Sequence, residues 1–275
     1  MTARRRSALY LPASNARALE KARTLACDVV ILDLEDAVAP AAKGRARAAV
    51  VEAVRDGGFA ERELIVRVNA PDTGEFAADV DALADVDVAA LLPKVSSRQT
   101  LLAGAAAMPG RPLWAMIETP RAVLDVDAIA SAAREVPLVG LVIGTNDLAK
   151  EVGCRLHPSR QPIHAALTMS ILAARAAGIA ILDGVYNDIA DADGFERECI
   201  EGAAFGFDGK TLIHPKQIET CNRVFSPSAD EVGWATGVVA AFDDPANAEV
   251  NALSLDGRMV ERLHLDVARR ILART

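Results

Sequence analysis

Short runs of apolar, β-branched-rich residues recur along the chain, each followed by a longer Ala-rich stretch. The runs lie at 7–12, 29–35, 64–69, 89–95, 113–119, 138–144, 179–186 and 206–213. Between them Ala46, Val50, Ala53 and Val54 fall on one helical face. Ile163, Ala166, Leu167, Ile171 and Ala174 obey the same i, i+3, i+4 rule. Strands that are hydrophobic throughout, alternating with amphipathic helices, predict a parallel sheet covered on both faces. Eight such units fill about 220 residues, the size of a (β/α)8 TIM barrel. An open doubly wound sheet is the competitor, and it is disfavoured: no GxGxxG follows the first run and no P-loop occurs.

The periodicity continues past the eighth unit, which predicts a barrel over 1–225 and a C-terminal helical arm over 226–275. Pro227-Ser228 with Glu231 reads as a capping box that opens a helix, and Asp243-Asp244-Pro245 stops it. A second helix is expected from about Arg258 to the end, with Val260, Leu263, Val267 and Ile271 on one stripe. Residues 165–182 are the longest apolar-rich segment. They carry Thr168, Ser170 and Arg175, so a core-facing helix is expected rather than a membrane span. The basic residues 1–6 precede an apolar stretch, 8–13, that is short and contains Pro12, so no signal peptide is expected.

Composition narrows the function classes. Of 275 residues 51% are hydrophobic, which excludes a disordered chain, and 30 Lys+Arg against 38 Asp+Glu give a net charge of −8. That balance argues against nucleic acid as a partner, and with no membrane span in view no membrane partner is expected. An anionic substrate would need positive charge gathered locally. Cys27, Cys154, Cys199 and Cys221 show no paired spacing, so neither disulfides nor zinc is expected and a cytoplasmic protein is the plain reading.

In a parallel barrel the side chains just after each strand converge on one mouth. The second run ends in Asp33-Leu34-Glu35-Asp36, the third in Arg67-Val68-Asn69 and the fourth in Pro93-Lys94. The fifth leads into Glu118-Thr119-Pro120-Arg121, the sixth into Gly144-Thr145-Asn146-Asp147, and the eighth into His214-Pro215. Carboxylates on adjacent strands five and six, with Asp36 across the mouth, make a hard oxygen site of the kind Mg²⁺ takes with waters and substrate oxygens. The competing reading, that these acids cap helices or face solvent, stays open on pattern alone.

Further motifs change the picture. Residues 6–12 (RSALYLP), 31–38 (ILDLEDAV), 67–69 (RVN), 92–94 (LPK), 117–120 (IETP) and 208–215 (DGKTLIHP) resemble the citrate lyase β-subunit family. It lies within the HpcH/HpaI aldolase group that includes malyl-CoA and citramalyl-CoA lyases. The resemblance spans nearly the whole chain. It implies a Mg²⁺-dependent carbon–carbon lyase that splits or forms a β-hydroxyacyl thioester, giving a keto acid and an acyl-CoA. By similarity Glu118 and Asp147 are the metal ligands, Glu118 also facing substrate. Arg67 binds the keto-acid half as a catalytic residue, and Asp36 holds metal-bound water. Glu35 supports the site from behind, and Asp33 is structural. Relatives place a catalytic Asp in a Met-Ile-Asp-x-Pro segment of the arm, presented to a neighbouring subunit of a trimer or hexamer. Here Met259-Val260-Glu261 matches, with Glu261 for the Asp and no proline, so Glu261 is a conditional catalytic candidate and a homo-oligomer is expected.

Other residues carry less. His214 reads as a turn, Lys94 either lines the mouth or neutralises the acids, and Arg17 and Lys21 meet substrate anions or solvent. His157, His164 and His264 have no partner spacing, and Trp114 and Trp234 are expected to pack. Two functions compete with the lyase: a CoA-independent pyruvate aldolase, and a carrier-protein-dependent or weakly active binding subunit.

Overall fold

The structure, a computed structural model, describes residues 4–60, 62–156 and 159–275; His157 lies outside them, as do residues 1–3 of the basic N-terminus. Eight parallel strands close into a barrel: β1 Ser7–Pro12, β2 Val29–Asp33, β3 Glu63–Arg67, β4 Ala89–Leu92, β5 Leu113–Ile117, β6 Leu138–Ile143, β7 Ala180–Asp183 and β8 Gly209–Leu212. Each pairs with its sequence neighbour, and β1 with β8 closes the ring. No helix among the described residues is long and apolar enough to cross a membrane.

Strand alternation fixes what fills the barrel. Ala8, Val29, Ile31, Ile65, Leu91, Trp114, Met116, Val142 and Leu182 form one buried cluster inside it. The same period-2 faces continue upward into polar side chains: Val29, Ile31, then Asp33; Ile65, then Arg67; Trp114, Met116, then Glu118. The apolar floor therefore becomes a charged layer without any break in geometry. Trp114 is fully buried, as expected. It fits because a Cβ on Gly140, on the neighbouring strand, would lie 2.3 Å from its ring.

Helices cover the outside. The Lys43–Asp56 helix buries Lys43, Ala46, Val50 and Ala53, and the His164–Ala177 helix buries Leu167, Ile171 and Ala174, on the faces their spacing predicts. Behind β7 and β8 a charged network replaces apolar packing. Lys210 Nζ donates to Asp183 Oδ2 at 3.0 Å, Glu198 Oε1 at 2.6 Å and the Gly184 carbonyl. Arg160 Nη1 donates to both Asp183 oxygens, and Glu201 bridges Arg160 to His164. Lys210 and Asp183 are fully buried, so each charge depends on the others.

The chain divides into two compact units, 5–222 and a second formed by Arg4 with 223–275. In the second unit Ser228 and Glu231 form the expected capping box of the Ala229–Asp243 helix. The rest departs from the periodic reading. Residues from Arg258 first form strand β10 (Arg258–Glu261), paired antiparallel with β9 (Ala252–Leu255), and the helix runs only from Arg262 to Leu272. The cause is Asp256-Gly257, both at positive φ (+47° and +75°), the pair that a tight hairpin turn requires. The helix consequently buries Leu265 and Ala268 against Ala235, Val238, Phe242 and Val260. Leu263, expected on that stripe, is 59% exposed.

Candidate active site

The described strand ends surround a cavity of about 330 Å³ lined by Tyr10, Asp33, Asp36, Arg67, Met116, Glu118, Thr145, Asn146, Asp147, Asn187 and Thr211, among others. Of the residues the sequence singles out, Asp36, Arg67, Glu118 and Asp147 meet here. Glu261 belongs to the other unit, where it ends β10 and its backbone N–H donates to His264 Nδ1 at 2.9 Å. His214 caps a short turn through Lys216 N–H at 3.1 Å, and Arg17 and Lys21 are exposed on the Ala16–Ala22 helix.

The position of Arg67 follows from register. Asp33 and Arg67 sit directly opposite each other on β2 and β3, so their side chains rise on the same side of the wall. Arg67 Nε and Nη2 grip the two Asp33 oxygens at 2.8 and 2.6 Å, and the guanidinium lies 5.0 Å over the Tyr10 ring. Burial opposes the charge, but the Asp33 bonds overcome it and hold the guanidinium ionised. Its remaining nitrogen, Nη1, faces Glu35 at 2.9 Å and Asp36 at 3.7 Å. Asp33 spends its other lone pairs on the backbone N–H groups of Glu35 and Ala37, which folds the 33–37 loop.

That loop is also held from beneath. Lys43 Nζ donates to the carbonyls of Leu34 and Glu35 at 2.7 and 3.1 Å and to Asn69 Oδ1. Asn69 Nδ2 donates to Leu34 O and to Asp79 Oδ2. The Asn of the Arg-Val-Asn motif is thus a brace for the acidic loop.

Glu118 continues β5 opposite Gly144, as Ile117 pairs with Ile143. A Cβ on Gly144 would stand 2.6 Å from Glu118 Oε2, so glycine makes the space for the carboxylate. Glu118 is only 1% exposed; Oε1 accepts the Lys94 N–H at 2.7 Å, while Oε2 has no hydrogen-bond partner. Burial raises its pKa against the opposing pull of that N–H and of the Lys94 ammonium. Asp147, in the first turn of the Thr145–Val152 helix, meets Lys94 Nζ at 3.0 Å, and the same nitrogen is 3.5 Å from Glu118 Oε2. Thr145 Oγ1 is a second buried oxygen without a partner.

A locus already shared by an ammonium, two carboxylates and an orphaned oxygen suits a small hard cation. Among the described residues no group of three or more His, Cys, Asp or Glu could hold a metal. Mg²⁺ needs no such group: it is held by one or two carboxylates with water and substrate oxygens. The residues present fit Mg²⁺.

Glu35 is the most perturbed acid. Burial, then the charges of Asp36 and Glu118, lift its pKa to about 8; the nearby Arg67 opposes this, but its fork is already committed to Asp33. A folded-state pKa above the ordinary 4.5 means the folded protein holds the proton more tightly. The associated stability is present below pH 4.5 and is lost as pH rises toward 8. Melting temperatures of the wild type and Glu35→Gln should accordingly track each other near pH 4 to 5, and the wild type should fall below the variant by pH 8 to 9. Parallel curves across that range would remove the perturbation.

Sequence reasoning assigns no role to Tyr10, Lys43, Met116, Thr145 or the Asn146–Asn187 pair, whose amides bond reciprocally at 3.2 and 2.8 Å. Tyr10 and Met116 were discoverable, because each lies two residues from a neighbour on the same interior face. Lys43 and Asn187 act across long sequence separations and gave no local signal.

The sequence profile of the HpcH/HpaI aldolase/citrate lyase family matches residues 6–215. A (3S)-malyl-CoA thioesterase of Cereibacter sphaeroides is 47% identical over 270 residues, covering 98% of this chain and 94% of that protein. The citrate lyase subunit beta of Leuconostoc mesenteroides is 33% identical, covering 98% and 92%. Among solved structures, the CitE protein of Mycobacterium tuberculosis in complex with magnesium, acetoacetate and coenzyme A superposes with a TM-score of 0.80. It is 34% identical, with 98% of this chain and 97% of that one covered.

Proposed function

The chain belongs to the HpcH/HpaI aldolase/citrate lyase family, and from that membership we propose that it is a Mg²⁺-dependent carbon–carbon lyase acting on a β-hydroxyacyl-CoA of the malyl type. One observation carries the reading: an acid pair on adjacent strand ends, Glu118 and Asp147, shares a cavity with a fixed arginine fork. Magnesium in the CitE complex supports a magnesium-dependent reaction here, and Glu118 and Asp147 are the residues that would hold the ion. When bound, Mg²⁺ supplies Lewis-acid stabilisation of the oxygen charge that develops on the keto-acid half.

The protein's own groups do the rest. Arg67, held by Asp33 and Tyr10, presents Nη1 to the carboxylate or carbonyl oxygen of the keto-acid portion, and its planar fork is already oriented. Asp36, exposed at the mouth and on the braced loop, orients water beside the acids. For malyl-CoA the hydroxyl gives its proton to the water that Asp36 orients, and the bond between C2 and C3 breaks. The electron pair passes to the thioester α-carbon, which takes up a proton and leaves as acetyl-CoA, with glyoxylate as the other product. Glu261 is the conditional donor of that proton, in an arm that by family likeness serves a neighbouring copy of a homotrimer.

The thioesterase name of the 47% identical relative favours a second reading with the same substrate, in which water attacks the thioester and malate and CoA thiol leave. One assay separates the two. Purified protein with Mg²⁺ and (3S)-malyl-CoA should release glyoxylate, trapped as a hydrazone, without free thiol. Thiol release without glyoxylate would replace the lyase by the hydrolase. Turnover of free hydroxy-keto acids instead would indicate the CoA-independent aldolase, and dependence on an acyl carrier protein the subunit reading. Glu261→Asp and Glu261→Ala belong in the same panel; unchanged turnover in both removes Glu261 from the mechanism.

A further inference from the structure

We propose that Lys94 is the built-in counter-cation of this site, holding Glu118 and Asp147 together and competing with Mg²⁺ for the same two carboxylates. The inference rests on the assignment of those acids as metal ligands.

The argument starts in the backbone. β4 ends at Leu92, Pro93 follows, and Lys94 takes φ +53°, in the left-handed region where a Cβ crowds the following carbonyl. Such a conformation persists where surrounding bonds over-determine it, and it clusters at functional sites. Here the turn aims two donors of one residue at one carboxylate. The Lys94 N–H binds Glu118 Oε1 at 2.7 Å, and its Nζ stands 3.5 Å from Glu118 Oε2. The same Nζ is 3.0 Å from Asp147 Oδ2. A single cationic atom therefore lies between the two acids.

The three partners differ in freedom. Glu118 is sealed against Gly144, with its side chain 1% exposed, whereas the Lys94 side chain is 32% exposed. Asp147, with its side chain 31% exposed, can adjust to a metal from the solvent side, and the lysine has solvent to withdraw into. A divalent ion brought to these carboxylates repels an ammonium a few ångströms away, so entry of the metal displaces the lysine while its N–H keeps hold of Glu118 Oε1. The device keeps a buried acid paired before the metal arrives, at the expense of metal affinity.

The test is Mg²⁺ titration by calorimetry on the full-length protein, with melting curves with and without Mg²⁺. Lys94→Gly keeps the N–H to Glu118, suits φ +53° and removes the ammonium, so folding is preserved. Lys94→Gln removes the charge but retains the side-chain bulk. Both variants should bind Mg²⁺ roughly tenfold or more tightly than the wild type, and both should show a larger Mg²⁺-induced rise in melting temperature. Unchanged or weaker Mg²⁺ binding in both, with the wild type binding normally, overturns the inference and leaves the metal assignment standing. If the wild type binds no Mg²⁺, or Glu118→Gln binds it as well as the wild type, the metal assignment fails and the inference with it.

Discussion

Glu118→Gln is expected to abolish Mg²⁺ binding and to lower kcat/KM by about 10³-fold or more, equivalent to about 4 kcal/mol of transition-state stabilisation. The substitution keeps the side chain's shape and an oxygen for the Lys94 N–H, while removing the negative charge that a hard cation needs. It also removes a desolvation cost, because the carboxylate is buried and one of its oxygens has no hydrogen-bond partner. Stability and activity should therefore separate: the variant should melt at or above the temperature of the wild type measured without Mg²⁺. Calorimetry for the metal, a melting curve and a steady-state assay check the three parts. Turnover within tenfold of wild type would show that Glu118 does not hold the metal. A variant that loses activity through unfolding would instead show a lowered melting temperature.

Much of this site was legible because a parallel barrel converts sequence position into spatial position. Once eight runs are recognised as strands, residues just past their ends must converge, and Asp36, Arg67, Glu118 and Asp147 lie around one cavity. What could not be read was how the convergent charges partition. Nothing local says that Asp33 takes the Arg67 fork or that Lys94 turns left-handed to grip Glu118; these follow from cross-strand register and a strained turn. The Lys43–Asn69–Asp79 brace links residues 26 and 10 positions apart, beyond the reach of any helix or strand period. The C-terminal unit teaches the opposite lesson. Asp256-Gly257 is a local hairpin signal, but the apolar spacing around it was compatible with a helix, and turn chemistry won over periodicity.

Arg67→Lys should lower kcat/KM by roughly 10²- to 10³-fold, although the charge is retained. The loss is geometric. Arginine satisfies both Asp33 oxygens through Nε and Nη2 and keeps Nη1, 2.9 Å from Glu35, at the cavity side, whereas an ammonium is a point donor that must choose. If lysine pairs with Asp33, which is almost fully buried, it withdraws from the substrate. If it reaches for the substrate, it leaves a buried carboxylate unpaired, a change that typically costs 3–5 kcal/mol. Asp33→Asn separates the two functions of the pair. It leaves the guanidinium in place but releases one half of its anchor, so keto-acid binding should weaken less than in Arg67→Lys while kcat falls through loss of orientation. Calorimetric binding of glyoxylate or oxaloacetate in the presence of Mg²⁺, read beside kcat and KM well below the melting temperature, distinguishes a lost contact from a loosened one. Wild-type keto-acid affinity in Arg67→Lys would show that the fork serves only the 33–37 loop. The substrate carboxylate would then have to be met by another cation, and Lys94, whose Nζ already stands 3.0 Å from Asp147, is the candidate to substitute next.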